Sequence, residues 1–458
     1  MKKTALLTLV ALVIIAVACA PTPEPTKPPA PTTAAQPPAQ ATVPPTQPSV
    51  SGKVVKLQFI YPVYVTGPLA QIIDGYVKNF NASHPDIQVE AIFAGTYAEN
   101  MARAQAAISA GQPPDVAILL STDLYTLRNM DAIIPLDEYI NGKQGIDMND
   151  FYKPFMFNTT SQGKIWGISF QRSTPVMYYN KDAFAEVGLD PEKPPKTWDE
   201  MVQYAKKLTT STGGTVTRWG VEVPTDDWIF SAFTVQAGKS VQAPEDDPCT
   251  LYIDSPEAIQ AAEFIRSLQT QHKVMPDGVV KWATAPADFS SGKAAMLYHT
   301  TGGLTQILKD AKFKVGTAFL PAGPKGYGVP TGGGLFYIMK GLPKERQDAA
   351  WVFIQWMTRP EQLGQWSVDS GYVSPRISSW QIEPLKSYVE KVPQAATARD
   401  QLQYATKEFP SSLEGPPIKT GMVSTLEAIA TGQMTPANAL KAHQTRANEL
   451  MKQAGCKK

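Results

Sequence analysis

Hydrophobic positions near the start of the folded body change their spacing in a regular order. Every second residue is hydrophobic over 54–61, which predicts a strand with one buried face. Over 69–80 the hydrophobic residues recur at helical spacing, which predicts an amphipathic helix packed on a sheet. A strand over 87–93, a helix over 98–109 and a short apolar strand over 116–120 follow. This alternation predicts an α/β protein with a doubly wound sheet.

The second half of the chain continues with helices that begin at recognisable N-caps. Thr197 has Glu200 three positions later, as in a capping box, and Ser255 occupies the same position before its own helix. Hydrophobic spacing predicts further helices over 344–358, 360–366 and 436–454. The sequence shows no internal repeat, and 458 residues are enough for two domains at roughly 150 residues each. We therefore predict two α/β lobes.

The N-terminal segment predicts export rather than an element of the fold. Lys2 and Lys3 precede an apolar run over 5–18, too short to span a membrane comfortably, which is typical of a signal peptide over 1–18. The letters AVAC, which end in Cys19, resemble a bacterial lipobox, with Ala16 where that motif prefers Leu. The resemblance implies lipidation of Cys19. An uncleaved anchor and cleavage by the ordinary signal peptidase are the alternatives.

A proline-rich tract separates this signal from the body. Residues 21–48 consist mainly of Pro, Thr, Ala and Gln, with Glu24 and Lys27 as their charged residues. Proline fixes φ and removes hydrogen-bond donors, so we predict an extended tether over 19–52. No later hydrophobic run is long enough to span a bilayer. We therefore expect an extracytoplasmic body, lipid-anchored to the outer face of the cytoplasmic membrane.

Charge and composition exclude two kinds of site. The chain has 42 Lys and Arg residues against 41 Asp and Glu residues, so it lacks the basic field that a nucleic-acid partner requires. It has 3 Cys and 4 His residues and neither a CxxC nor an HExxH motif. We therefore predict no metal site and no cofactor.

Two cysteines remain if Cys19 is lipidated. Cys249 and Cys456 then form an even pair, which an oxidising compartment allows to become a disulfide. Fraying of the C-terminus would keep Cys456 away from its partner, so the sequence leaves this bond open.

Several blocks of the sequence resemble bacterial extracellular solute-binding proteins, the binding components of ABC importers. They occur in order over nearly the whole mature chain and are most similar to the glycerol-3-phosphate-binding branch of family 1. The blocks are ARAQAAISAGQPPDVAIL, RSTPVMYYNKDAFAEVGLDPEKPPKTWDEM, SGKAAMLYHTTGG, GGGLFYIMKG, QWSVDSGYVSPR and TGQMTPANAL.

The resemblance implies a two-lobed clamshell in which each lobe is a mostly parallel sheet flanked by helices. The chain would cross between the lobes near Gln171 and again near Gly333. Lobe 1 would comprise residues 53–171 and 334–376, and lobe 2 residues 172–333 and 377–458. Ligand would sit in the cleft at the carboxyl ends of the strands, and closure would present a surface to the transporter.

The resemblance also implies a set of ligand-contacting residues: Tyr97, Ser121, Ser173, Trp198, Thr300, Gly333, Tyr372 and Lys419. Ser121 stands where the branch has an acidic residue, and Lys419 replaces its arginine. Because lysine cannot form a planar bidentate fork, phosphate recognition is weakened, and a neutral sugar or a glycerophosphodiester competes with glycerol-3-phosphate. Trp198 has a second interpretation, in which it packs on the start of its own helix. Asp226 and Asp227 either extend the cleft or lie in a solvated loop.

We therefore expect a monomeric, non-enzymatic binding protein of an ABC importer. Its partners would be a small solute, the permease subunits and, through the lipid, the membrane. The alternative is a secreted glycan-active hydrolase, which needs two carboxyl groups roughly 5 to 10 Å apart; no spacing in the sequence indicates such a pair. A receptor's sensing domain would need a spanning helix or a signalling partner, for which the sequence gives no sign.

Overall fold

The computed structural model describes residues 53–65, 67–243 and 246–457. The predicted signal peptide over 1–18, the lipidation of Cys19 and the tether over 19–52 lie outside the described residues. Among the helices of the described ranges, none is both long enough and apolar enough to cross a bilayer.

Strands and helices alternate along most of the chain. The strands are β1 (Val55–Tyr61), β2 (Ile87–Phe93), β3 (Val116–Leu120), β4 (Thr160–Ser161), β5 (Lys164–Ile165), β6 (Ile168–Ser173), β7 (Pro175–Asn180), β8 (Thr210–Thr212), β9 (Thr215–Arg218), β10 (Met296–Thr300), β11 (Val315–Ala318), β12 (Val329–Pro330), β13 (Gly332–Ile338) and β14 (Ala405–Thr406). The α-helices are α1 (Leu69–Ser83), α2 (Tyr97–Ser109), α3 (Leu124–Asn129), α4 (Asp137–Ile140), α5 (Lys181–Glu186), α6 (Trp198–Leu208), α7 (Asp227–Ala237), α8 (Pro256–Thr270), α9 (Ala285–Ser290), α10 (Leu304–Asp310), α11 (Lys344–Met357), α12 (Pro360–Ser370), α13 (Leu385–Lys391), α14 (Thr397–Asp400), α15 (Gly415–Ala430) and α16 (Pro436–Gln453).

The first five predicted elements are confirmed as β1, α1, β2, α2 and β3, with small differences at their ends. The predicted N-caps are confirmed too, because Thr197 accepts from the backbone N–H of Glu200 and Ser255 from that of Ala258. Each bond satisfies a backbone donor that the first turn of a helix leaves unpaired. Local sequence signals therefore determine where these elements begin.

The two largest sheets of the described strands are a mixed five-stranded sheet in the order β2-β1-β3-β13-β6 and an antiparallel three-stranded sheet in the order β10-β7-β11; β4 with β5, β8 with β9 and β12 with β14 form two-stranded sheets. β1 pairs in parallel with β2 and β3, whereas β13 is antiparallel to both β3 and β6. The α/β class is confirmed, but the sheets contain less parallel pairing than we expected. The reason is that β6 leads the chain out of the first sheet and β13 leads it back, so the two run in opposite directions.

Two separate hydrophobic cores support the two-lobed architecture. The first surrounds the five-stranded sheet, with Phe59, Phe170 and Phe336 among its buried side chains. The second surrounds the three-stranded sheet and includes Tyr178 and Phe233. Phe155 packs in the second core. Apart from it, core membership changes from the first to the second between Phe170 and Val176, returns to the first between Val329 and Leu335, and changes again between Tyr372 and Val373.

A disulfide joins Cys249 to Cys456, with their Cα atoms 5.7 Å apart. The bond spans 207 residues of sequence and ties the end of the chain to the loop that precedes α8. Cys456 is buried and its backbone N–H donates to Met451 O, so the C-terminal segment packs against α16 instead of fraying.

We expect the Cys249→Ser/Cys456→Ser variant to lose about 2–5 kcal/mol of unfolding free energy, because the disulfide restricts the unfolded chain over a long loop. Denaturant titration with and without a reducing agent measures this. The reducing agent should destabilise the unaltered protein and leave the double variant unchanged. Equal stability of the two proteins without reductant would contradict the expectation.

Candidate functional site

A cavity of about 300 Å³ lies between elements of the two cores. Its walls come from residues near the ends of β1, β3, β6 and β10 and from α2 and α15. The lining residues are Tyr64, Val65, Tyr97, Ala98, Met101, Ala102, Gln105, Leu120, Asp123, Ser173, Asp226, Trp228, Trp282, Thr300, Gly333, Tyr372, Glu408, Pro416, Lys419 and Thr420.

The structure brings six of the eight predicted ligand residues together in this cavity. These six are Tyr97, Ser173, Thr300, Gly333, Tyr372 and Lys419. Ser173 and Thr300 end strands β6 and β10. Sites at the carboxyl ends of strands are the usual ligand positions of open α/β sheets.

Side-chain contacts hold the two predicted tyrosines in place, and backbone geometry holds the glycine. Tyr97 begins α2, and its hydroxyl donates to Gln171 Oε1 at 2.8 Å. Tyr372 stacks on Trp366 with the ring centroids 5.6 Å apart. Gly333 has φ +101°, and a Cβ there would lie 1.7 Å from Gln171 O. Only glycine fits at this position, because both the left-handed backbone and the close approach exclude a side chain.

Trp198 lies outside the cavity, contrary to our expectation of ligand stacking. Its ring stacks on Phe264 at 4.2 Å between centroids, and its Nε1–H donates to Gln236 Oε1 at 2.8 Å. The side chain is buried in the second core, because the first turn of α6 packs against α8. This position agrees with the second interpretation, in which Trp198 packs at the start of its own helix.

Ser121 is buried just behind the cavity wall and does not line it. Its hydroxyl donates to Glu408 Oε2 at 2.5 Å, and Glu408 itself is a lining residue. The two residues are 287 positions apart in the sequence. Our sequence analysis missed Glu408, because no periodicity or motif around it indicates a site.

Three aromatic rings form a wall that sequence reasoning also missed. Tyr64 stacks on Trp282 at 5.4 Å between centroids, and Trp228 meets Trp282 edge-on at 6.2 Å. The indole N–H of Trp228 donates to Thr331 O and that of Trp282 to Tyr64 O. Because protein groups satisfy both N–H donors, the aromatic wall presents mainly carbon surface to the cavity.

Lys419, on α15, is held by a buried aspartate. Its Nζ lies 2.8 and 2.7 Å from the two carboxylate oxygens of Asp227, whose side chain is fully buried. Burial alone would lower the pKa of Lys419, but Asp227 and Asp226 together raise it well above its usual range. The lysine is therefore charged, and its charge is balanced within the protein.

A family-wide sequence model, described as bacterial extracellular solute-binding protein, matches residues 75–394. The chain belongs to this family. Among the relatives of this solute-binding protein is the sn-glycerol-3-phosphate-binding periplasmic protein UgpB of Salmonella typhimurium, 27% identical over 405 residues that cover 84% of this chain and 90% of the relative. UgpB of Escherichia coli K12 is also 27% identical, over 404 residues, with the same coverage.

Solved structures agree with the fold. UgpB from Mycobacterium tuberculosis in complex with glycerophosphocholine has a TM-score of 0.76 at 24% identity, covering 88% of this chain and 99% of that one. The substrate-binding protein Lmo0181 from Listeria monocytogenes in complex with cycloalternan also has a TM-score of 0.76, at 23% identity, covering 87% and 100%. The periplasmic-binding-protein architecture that we expected is thereby confirmed.

Carboxyl groups outnumber cations around the cavity of this solute-binding protein. Burial raises the pKa of Asp123 to about 7, against an opposing hydrogen bond from the Leu120 N–H. Burial likewise raises the pKa of Glu408 to about 7, although Arg172 lies close enough to oppose the shift. Asp226 caps α7 by accepting from two backbone N–H groups, and burial raises its pKa as well. Within the described ranges, no group of His, Cys, Asp and Glu side chains is arranged to hold a metal ion.

We expect Glu408→Gln to become more stable relative to the unaltered protein as pH rises from about 4.5 to about 7. The folded-state pKa of Glu408 lies above its unfolded value, so its contribution is favourable at low pH and is lost as the carboxyl ionises. A pKa difference of this size corresponds to a change of up to about 3 kcal/mol. Unfolding titrations at several pH values measure it. The matched control is Glu427→Gln, which alters an exposed residue on α15. A flat profile for Glu408→Gln would contradict the shift.

Proposed function

We propose that this solute-binding protein captures a neutral sugar or a zwitterionic glycerophosphodiester in the cavity and delivers it to the permease of an ABC importer. The observation that carries the proposal is the combination of the aromatic wall with a lysine already neutralised by Asp227. Aromatic faces pack well against the C–H surface of sugars and against cationic head groups.

The charge balance argues against glycerol-3-phosphate itself. Asp123, Asp226 and Glu408 line the cavity, and a phosphate monoester would bring further negative charge towards them. Lys419 uses two contacts on Asp227, so the positive charge that it could offer a phosphate is already balanced by that carboxylate. A neutral sugar avoids the repulsion, and a diester with a cationic head group compensates its single negative charge internally. UgpB of M. tuberculosis and Lmo0181, crystallised with glycerophosphocholine and cycloalternan, bind ligands of these two kinds.

The proposal includes closure of two lobes around the solute. Lobe 1 comprises residues 53–171 and 334–376, and lobe 2 residues 172–333 and 377–458. The changes of core membership between Phe170 and Val176 and between Val329 and Leu335 support hinges at the β6–β7 and β12–β13 connections. These connections flank Ser173 and Gly333, so closure would move the two walls of the cavity towards each other.

The proposal also anchors the protein to the outer face of the cytoplasmic membrane through a lipid on Cys19. The signal-like run and the proline-rich tract support it. We expect mass spectrometry of the native protein to show a lipid-modified N-terminal Cys19. A mature chain that begins elsewhere, or that carries an unmodified Cys19, would contradict the anchor.

Ligand screening with calorimetry tests the choice of ligand. We expect maltose or glycerophosphocholine to raise the unfolding temperature, and sn-glycerol-3-phosphate to do so less. Affinity should change little between low and high salt, because no unbalanced ionic contact drives binding.

Trp282→Ala should weaken binding by roughly 1 to 3 kcal/mol, about 5- to 150-fold, by removing the centre of the aromatic wall.

The control variant for this screen is Phe157→Ala, which alters an exposed aromatic residue outside the cavity lining. It should bind like the unaltered protein. Strong, salt-sensitive binding of sn-glycerol-3-phosphate that disappears in Lys419→Ala would refute the proposal. Chromatography of maltose after incubation distinguishes binding from hydrolysis, and release of glucose would favour the hydrolase instead.

A further inference from the structure

We propose that Glu408 is the residue that selects the solute by one of its hydroxyl groups: held in place by Ser121, its carboxylate accepts a hydrogen bond from a ligand hydroxyl in the cavity. The inference rests on the proposed function and specifies the chemistry of that site. It assigns a role to a residue from the segment between β14 and α15.

The carboxylate of Glu408 has one oxygen occupied and one available. Oε2 accepts from Ser121 Oγ at 2.5 Å. Within the described part of the chain, no hydrogen bond reaches Oε1, although Glu408 is 3% exposed and lines the cavity. An ionised carboxylate has about four acceptor positions. Oε1 is therefore an acceptor on a cavity-lining residue, without a protein donor in the described part of the chain.

Contacts on both sides hold Glu408 in this orientation. Ser121 directly follows β3, whose last residue, Leu120, pairs with Gly334 of β13. The backbone N–H of Glu408 donates to Asn158 Oδ1, and its backbone O accepts from Ser411 Oγ at 2.6 Å. Glu408 is thus held in place at its main chain and at Oε2 of its carboxylate. Little conformational entropy remains to be lost when a ligand binds.

Because Glu408 is buried, leaving its Oε1 without a hydrogen-bond donor is energetically unfavourable. Arg172 and Lys419 lie near enough to favour the ionised form, but no hydrogen bond from either reaches Glu408 within the described residues. The guanidinium of Arg172 donates to Gly333 O and leaves its Nε and Nη2 groups without a partner in the described ranges, and the ammonium of Lys419 donates to Asp227. A ligand hydroxyl that donates to Oε1 would replace the water lost on burial. A ligand without that hydroxyl would leave a buried, charged acceptor unpaired. A site of this kind discriminates strongly against the analogue that lacks the donor.

The chemistry of the cavity lining indicates which class of ligand would place a hydroxyl at Glu408. The aromatic wall provides carbon surface, and Glu408, Asp123 and Ser173 provide polar groups elsewhere in the lining. A molecule with a hydroxylated end and an apolar or cationic face matches this arrangement. Sugars and the glycerol end of a glycerophosphodiester both fit the description.

Calorimetry at pH 8 on the full chain tests the inference, with glycerophosphocholine and maltose as probes. Glu408→Gln should weaken binding of the probe roughly 10- to 100-fold, because it removes a charged acceptor. Ser121→Ala should weaken it less, about 3- to 10-fold, because it removes only the group that orients the carboxylate. Glu427→Gln, a matched change at an exposed position of α15, should bind like the unaltered protein.

Deoxy analogues identify the hydroxyl and separate recognition from a general change in charge. The two monodeoxy analogues of glycerophosphocholine, or monodeoxy maltoses if maltose is the tighter probe, are titrated into the unaltered protein and Glu408→Gln. One analogue should bind the unaltered protein at least 10-fold more weakly than its parent, and that preference should shrink below about 3-fold in Glu408→Gln.

Three outcomes would overturn the inference. Glu408→Gln binding as tightly as the unaltered protein would refute it and leave the proposed function standing. An unchanged preference for every hydroxyl in Glu408→Gln would show that the carboxylate acts only through its charge. Absence of binding of both probes to the unaltered protein would refute the proposed function, and the inference with it.

Discussion

The pairing of β13 with β3 and β6 is the interaction on which the rest of the site depends. β13 brings the chain back from the second core and completes the first sheet between β3 and β6, to both of which it is antiparallel. Gly333 lies so close to Gln171 O that the pairing leaves no space for a side chain. The side-chain Oε1 of Gln171 accepts from Tyr97, so this residue connects the β13 pairing to the wall formed by α2. The position of the cavity therefore depends on how the chain returns from the second core to the first sheet through β13.

The balance of buried charge gives this cavity its chemical character. Lys419 is tied to Asp227, which neutralises it, whereas Asp123 and Glu408 are buried so deeply that their pKa values rise to about 7. The cavity lining therefore has carboxyl oxygens for hydroxyl groups, and the charge of its lysine is already balanced by Asp227. Against the aromatic wall, these acceptors favour solutes with one hydroxylated side and one carbon-rich or cationic side.

Local sequence signals predicted the first strands and helices of the described chain well. Period-two and helical spacing identified β1, α1 and β2 because each element buries one face, and the caps at Thr197 and Ser255 are interactions between neighbours in sequence. The same reasoning overestimated parallel pairing. Strand direction depends on the path of the chain between strands, here on its departure through β6 and return through β13, and hydrophobic spacing does not carry that information.

The sequence by itself determined the α/β class, the main early elements and, through its resemblance, the family and six residues that line the cavity. Only the tertiary structure decided that Trp198 packs inside the second core and that Lys419 is neutralised. It alone also brought Glu408 to Ser121 across 287 residues. The physical reason is the range of the interactions. Capping and periodicity act over a few residues, whereas partners of buried charges and the faces of aromatic rings depend on where distant segments meet.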